Sequence, residues 1–124
     1  MNKEAMVKAY YKAVGEKNIE KIEKYLHPDV QLIGPLAKLS GKEAVLDATE
    51  NFTSLFNTLT IRVCLGSEEQ VMVVYELDCP PPLGVFSSAV LMTFEKDLIS
   101  KIELFYDARP FEKMKEEIFS SSAD

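Results

Sequence analysis

The chain has 124 residues, enough for one domain around one core, and its 47% hydrophobic and 10% aromatic content separates it from disordered chains. Its 20 acids against 14 bases give a net charge of −6, which repels nucleic acids and anionic membranes at long range and leaves a small neutral ligand as the fitting partner. One histidine and two cysteines outside any CxxC pair offer few metal ligands, and no apolar run nears the roughly 20 residues that span a bilayer.

In chain order, MNKEAMVKAYYK is charged and helical, unlike a signal peptide. With Cys64 and Cys79 read as reduced, a cytoplasmic location is expected. Met6, Val7, Tyr10, Tyr11 and Val14 recur at helical spacing, which predicts an amphipathic helix over Lys3–Val14 ended by Gly15. Asn18 suits the N-cap of a shorter helix carrying Ile19, Ile22, Tyr25 and Leu26 on one side. His27-Pro28-Asp29 stops it, with His27 favoured at the helix end by the dipole. Val30–Ile33 reads as a short strand and Gly34-Pro35 as a turn. Ser40-Gly41-Lys42-Glu43 has the form of a capping box. It opens what should be the longest helix, the main cover of the sheet, with Val45, Ala48, Phe52, Leu55 and Phe56 inward. The Asn51-Phe52-Thr53 glycosylation pattern falls mid-helix and is set aside.

From Leu59 onward the pattern is strand: Leu59–Leu65, Gln70–Cys79, Phe86–Glu95 and Leu98–Tyr106, the last two joined by Lys96-Asp97 as a hairpin. Val71–Val74 is apolar on both faces, so helices should cover one side of that strand and a second subunit the other. Glu76 in the same strand needs a partner, and Arg62 across the ladder can supply it. Pro80-Pro81-Pro82 marks a loop. Pro110 suits the first position of a short helix over Phe111–Phe119, and Ser120–Asp124 reads as a frayed tail. Helices first and an antiparallel meander after make an α+β fold: a single domain over 1–119, a curved antiparallel sheet wrapped around the N-terminal helices into a half-open cone. The interior of such a cone is a pocket for a small apolar ligand.

Where the closing strand ends, Asp107 and Arg109 leave an otherwise apolar run, a candidate place for chemistry. Strict alternation puts Asp107 on the face of Phe105, Glu103 and Lys101, opposite Ile102, Leu104 and Tyr106. An inward Asp107 therefore requires a bulge or the strand's end twist; otherwise it caps the following helix.

The order of elements, Tyr25-Leu26-His27-Pro28-Asp29-Val30, Ser40-Gly41-Lys42-Glu43-Ala44 and Ile102-Glu103-Leu104-Phe105-Tyr106-Asp107 together resemble the SnoaL-like branch of the nuclear-transport-factor-two-like (cystatin-like cone) superfamily, over roughly Ala5 to Phe111. That resemblance implies a homodimer through the outer sheet face and no metal or organic cofactor. Against ketosteroid isomerases, Tyr10 falls at the oxyanion tyrosine, but the general-base position falls near Gly34 and the second oxyanion acid near Val90. Against limonene epoxide hydrolases, Asp78 matches one acid, Glu76 stands where the arginine belongs, and Gln31 and Ile33 take the places of the water-holding pair. SnoaL-type polyketide cyclases resemble the chain further: their single acid near the end of the closing strand matches Asp107.

Two readings result. In the first, Asp107, its pKa raised by an apolar pocket, carries the proton in isomerisation, cyclisation or dehydration of a small apolar carbonyl compound. Tyr10 stands beside it in the catalytic pair, with Tyr106 a further hydrogen-bond donor. In the second, the cone is a non-catalytic module that binds a hydrophobic ligand or serves dimerisation. The ligand-contacting residues expected in either case are Val14, Phe52, Tyr75, Asp78, Phe86, Val90, Ile102, Leu104, Tyr106 and Arg109.

Overall fold

A computed structural model describes residues 2–114. Helix α1 (Lys3–Gly15) is capped by Asn2, whose side chain accepts from the Ala5 amide at 2.7 Å. Helix α2 (Ile19–Glu23) is capped as its sequence indicates, with the Asn18 side chain accepting from Lys21. Strand β1 (Leu26–Ile33) follows, then a three-residue edge strand β2 (Lys38–Ser40), helix α3 (Lys42–Thr53) and the meander β3 (Thr58–Gly66), β4 (Gln70–Asp78), β5 (Val85–Glu95) and β6 (Leu98–Phe105). A 3-10 helix over Arg109–Met114 ends the described chain.

Several local expectations are corrected. Ser40 does not cap α3: it belongs to β2, paired with Gln31, and the cap is Gly41 at φ 97°, a conformation that favours glycine. The strand β2 has no hydrophobic period to betray it. His27 lies within β1 and not at a helix end; its Nδ1 accepts from the Asp29 amide at 2.9 Å. At 13 residues α1 is longer than α3 at 12, and it is α1 that packs over β3 and β4 while α3 covers β1. The helix expected over Phe111–Phe119 is represented by the 3-10 turn; its remainder, and the tail at 120–124, lie outside the described residues.

The six strands run in the order β2-β1-β6-β5-β4-β3. All neighbours are antiparallel except β1 and β6, which are parallel. Register shifts interrupt the β1–β6, β3–β4 and β5–β6 pairings, and such bulges bend strands and increase their twist. The sheet curls around α1 and α3, its inner face carrying Val71, Val73, Tyr75 and Leu77 of β4 and Val90 and Met92 of β5 in one core with Val7, Tyr10 and Val14 of α1. Cys79 is buried, Cys64 half-buried, and both are free thiols. No helix among the described residues is long and apolar enough to cross a membrane.

On the outer face, Glu76 lies 4.0 Å from Arg62 Nε, the partner its strand called for. The rest of that face is more apolar: Val63, Leu65, Met72 and Phe105 are all exposed.

Candidate functional site

The helices do not fill the curled sheet completely. Between α1, α3 and the inner face remains a cavity of about 70 Å³, lined by Tyr10, Tyr11 and Val14 of α1, Leu32 of β1, Ala48, Thr49 and Phe52 of α3, Tyr75 of β4, Phe86 of β5, Ile102 and Leu104 of β6, and Tyr106 and Phe111 beyond it. The helical period aims the α1 and α3 residues inward, and alternation aims Phe86, Ile102, Leu104 and Tyr106.

The polar side chains of this lining are hydroxyls: four tyrosines and Thr49. Tyr10 and Tyr11 meet edge-on at 5.0 Å, and Tyr11 lies 5.0 Å from Tyr75. Burial pushes the Tyr10 pKa well above the ordinary tyrosine value, helped by neighbouring Tyr75 and partly offset by the Thr49 hydroxyl. Burial likewise raises Tyr11, with Tyr75, Tyr10 and Cys64 adding to it. For Tyr75 burial lifts the pKa to about 12, with Ser88 offsetting a part and Tyr106 adding to it. The half-buried Tyr106 is raised by burial as well. A desolvated phenol stays protonated, so at neutral pH each is a hydrogen-bond donor and a weak acceptor. Thr49 Oγ1 donates to the Val45 carbonyl at 2.7 Å, one turn back along α3. The Ser88 hydroxyl, opposite Tyr75 across the β4–β5 ladder, is buried near it without forming a hydrogen bond of good geometry.

Asp107 is not in this group. Past the end of β6 the alternation simply continues, so Leu104 and Tyr106 face the cavity while Phe105 and Asp107 are exposed. Both carboxylate oxygens are taken by Arg109, Nη2 at 2.7 Å from Oδ2 and Nε at 2.9 Å from Oδ1, and Oδ1 also accepts from the Arg109 amide at 3.0 Å. Those hydrogen bonds pull the Asp107 pKa down to about 2, the opposite of the raised value expected of a pocket acid. Its side chain is 50% exposed and that of Arg109 86%.

Of the other expected contacts, Val14, Phe52, Tyr75, Phe86, Ile102, Leu104 and Tyr106 line the cavity together with Tyr10. Asp78 is exposed at the end of β4, Val90 is fully buried in the core, and Arg109 is in solvent; none of the three reaches the cavity. Tyr11 and Ala48 fall on helix faces that the sequence marks as apolar but are not among the expected ligand contacts, and Leu32, Thr49 and Phe111 are not singled out by the sequence at all. Thr49 adjoins a residue read as inward, and a curled sheet takes in a wider arc of a helix than one stripe. At Gly34, where an isomerase base would sit, a Cβ would stand 3.4 Å from Leu104 Cβ and Cδ1, so an aliphatic side chain already fills the space beside it. Among the described residues, no three His, Cys, Asp or Glu side chains are grouped to hold a metal.

The fold places the chain among nuclear-transport-factor-two-like, or cystatin-like, cones. A cystatin-fold protein from Silicibacter pomeroyi DSS-3 superposes with a TM-score of 0.80 at 14% identity, over 97% of this chain and 86% of that one. A de novo designed protein with a curved β-sheet gives a TM-score of 0.82 at 24% identity, over 97% and 98%. A steroid delta-isomerase from Pseudomonas aeruginosa gives 0.75 at 15% identity, over 94% and 87%. The SnoaL-like domain profile matches residues 7–102, and the chain belongs to that family. No curated protein matches it significantly.

Proposed function

We propose that this protein binds a small, mostly apolar molecule bearing a hydrogen-bond-accepting oxygen, such as a ketone, and holds it without converting it. The observation that carries this reading is the cavity lining itself: aliphatic and aromatic groups interrupted by neutral hydroxyls, with no carboxylate, imidazole, amine or thiol among the described residues that form it. Such a surface offers donors to a carbonyl and nothing to compensate a buried charge. Isomerisation, cyclisation or dehydration also needs a group that takes up and returns a proton near neutral pH. The one acid proposed for that task would have to leave Arg109 and pass to the other face of its strand. Titration calorimetry with acetone and isobutene, the hydrocarbon of the same shape, tests the reading. The ketone should bind more tightly, equally to wild type and Asp107→Asn, and no product should form. Turnover of a carbonyl compound that disappears with Asp107→Asn would establish the enzyme reading instead.

The outer sheet face favours a second proposal, a homodimer. Two cross-strand rows, Leu65–Met72–Leu91 and Val63–Val74–Ala89–Phe105, form a patch with Leu65 65% and Phe105 54% exposed. A continuous exposed apolar surface of this kind is an interaction site, and a twofold axis through it would pair like with like. Sedimentation should give a dimer for the wild type and a monomer for Met72→Glu; a monomeric wild type at tens of micromolar would end the proposal. The two free thiols suit a reducing compartment, which supports a cytoplasmic location.

A further inference from the structure

At the end of the cavity formed by the segment after β6, three rings of the lining meet. Phe111, only 4% exposed, projects from the 3-10 helix after β6, while Arg109, Pro110 and Glu112 around it are exposed. Its ring centroid lies 4.6 Å from Phe86 and 5.9 Å from Tyr106, at interplanar angles of 80° and 89°. Phe86 and Tyr106 are themselves 5.6 Å apart at 74°. Three rings thus meet edge to face, the arrangement the aromatic quadrupole favours.

We propose that Phe111 is a displaceable plug in an aromatic subsite, and that the ligand is an aryl ketone whose ring takes the place of the Phe111 ring while its carbonyl faces the tyrosine hydroxyls. This rests on the ligand-pocket reading above and names the ligand class. The volume favours such an exchange. A cavity of about 150 Å³ takes up benzene, whereas this one offers about 70 Å³. The free space accommodates the carbonyl end alone; removing a phenyl group from the rim supplies the rest. The exchange is like for like, because each edge-to-face contact Phe111 gives up is regained by an aromatic ring and not by a saturated one. Phe111 sits in the 3-10 helix outside the sheet ladder, its amide donating to the Ala108 carbonyl at 2.9 Å. While the plug is seated the competent state is a minority, and the apparent affinity of the wild type is lowered by that fraction, commonly ~0.1–10%.

Acetophenone and cyclohexyl methyl ketone, titrated into wild type and Phe111→Ala and followed by NMR, test this. Acetophenone should bind Phe111→Ala at least tenfold more tightly than wild type and better than the saturated ketone in both. In the wild type, its binding should move the Phe111 ring and amide resonances toward exposed values. Equal acetophenone affinity for the two proteins, or Phe111 resonances unmoved at saturation, overturns the plug while leaving the ligand pocket standing. Failure of both ketones to bind either protein while acetone binds overturns the aryl-ketone ligand alone; failure of acetone as well overturns the pocket reading with it. Should Phe111→Ala not fold, Phe111→Leu keeps the apolar bulk without the ring. It should show the same gain at smaller size, and absence of any gain there also overturns the plug.

Discussion

The interior of the cone and the end of β6 treat their polar groups in opposite ways. Tyr10, Tyr11 and Tyr75 are buried and held neutral by desolvation, which raises their pKa values. A few residues past Leu104, Asp107 is half exposed and held ionised by a guanidinium, its pKa lowered to about 2. The pKa values of the adjacent residues Tyr106 and Asp107 shift in opposite directions, one raised by burial and one lowered by Arg109, so the face a side chain occupies decides its electrostatics. The cavity is lined by neutral donors while the charged pair lies at the exposed strand end, which suits the capture of a neutral molecule.

The largest expected effect separates the two regions by stability. Tyr11→Ala removes a buried ring packed on Tyr10 and Tyr75 and should cost ~3–5 kcal/mol in denaturant unfolding. Arg109→Ala at the strand end should leave the midpoint nearly unmoved. Alkaline titration sharpens the contrast. The tyrosines have folded pKa values above their unfolded value of 10.0, so the unfolded chain loses its phenolic protons first. Their stabilising contribution is complete below pH 10 and falls as pH rises through about 12 for Tyr75 and higher for Tyr10 and Tyr11. Tyrosinate absorbance from these three should therefore appear together with unfolding, and a smooth titration of all five tyrosines near pH 10 in the folded protein would contradict their burial.

A smaller effect concerns binding. Tyr75→Phe keeps the ring and removes one donor, so affinity for acetone should fall roughly 2- to 12-fold, the worth of one hydrogen bond, with isobutene binding unchanged. The smallest belongs to Asp107→Asn. The folded pKa of Asp107 is depressed, so its contribution is present above the unfolded value of 3.8 and is lost as pH falls toward about 2. The substitution should alter the pH dependence of stability only within that acid window and leave ligand affinity near neutral pH untouched.

Much of this was legible in the residues. The period-two runs of β3 to β6 mark one covered face, and they placed Tyr75, Phe86, Ile102, Leu104 and Tyr106 on the inner side. The helical period did the same for Tyr10, Val14 and Phe52. Asp107 is instructive because two signals disagreed: alternation pointed it outward with Phe105, and family resemblance drew it inward. The backbone pattern prevailed, because no bulge interrupts the pairing of β5 with β6 beyond Ile99 and Lys101. Phe111 could not be placed from sequence, since its position depends on how a 3-10 turn folds back over Phe86 and Tyr106. Strand β2 was hidden because three residues carry no period and Ser40-Gly41-Lys42-Glu43 imitates a helix start.

The most direct measurement is a carbon-13 NMR titration of carbonyl-labelled acetone into wild type, Tyr75→Phe and Asp107→Asn. A carbonyl that accepts hydrogen bonds from neutral tyrosines should move downfield on binding, by less in Tyr75→Phe and by the full amount in Asp107→Asn. A resonance that does not move on binding, or one whose shift vanishes with Asp107→Asn, would contradict a pocket built from neutral hydroxyls.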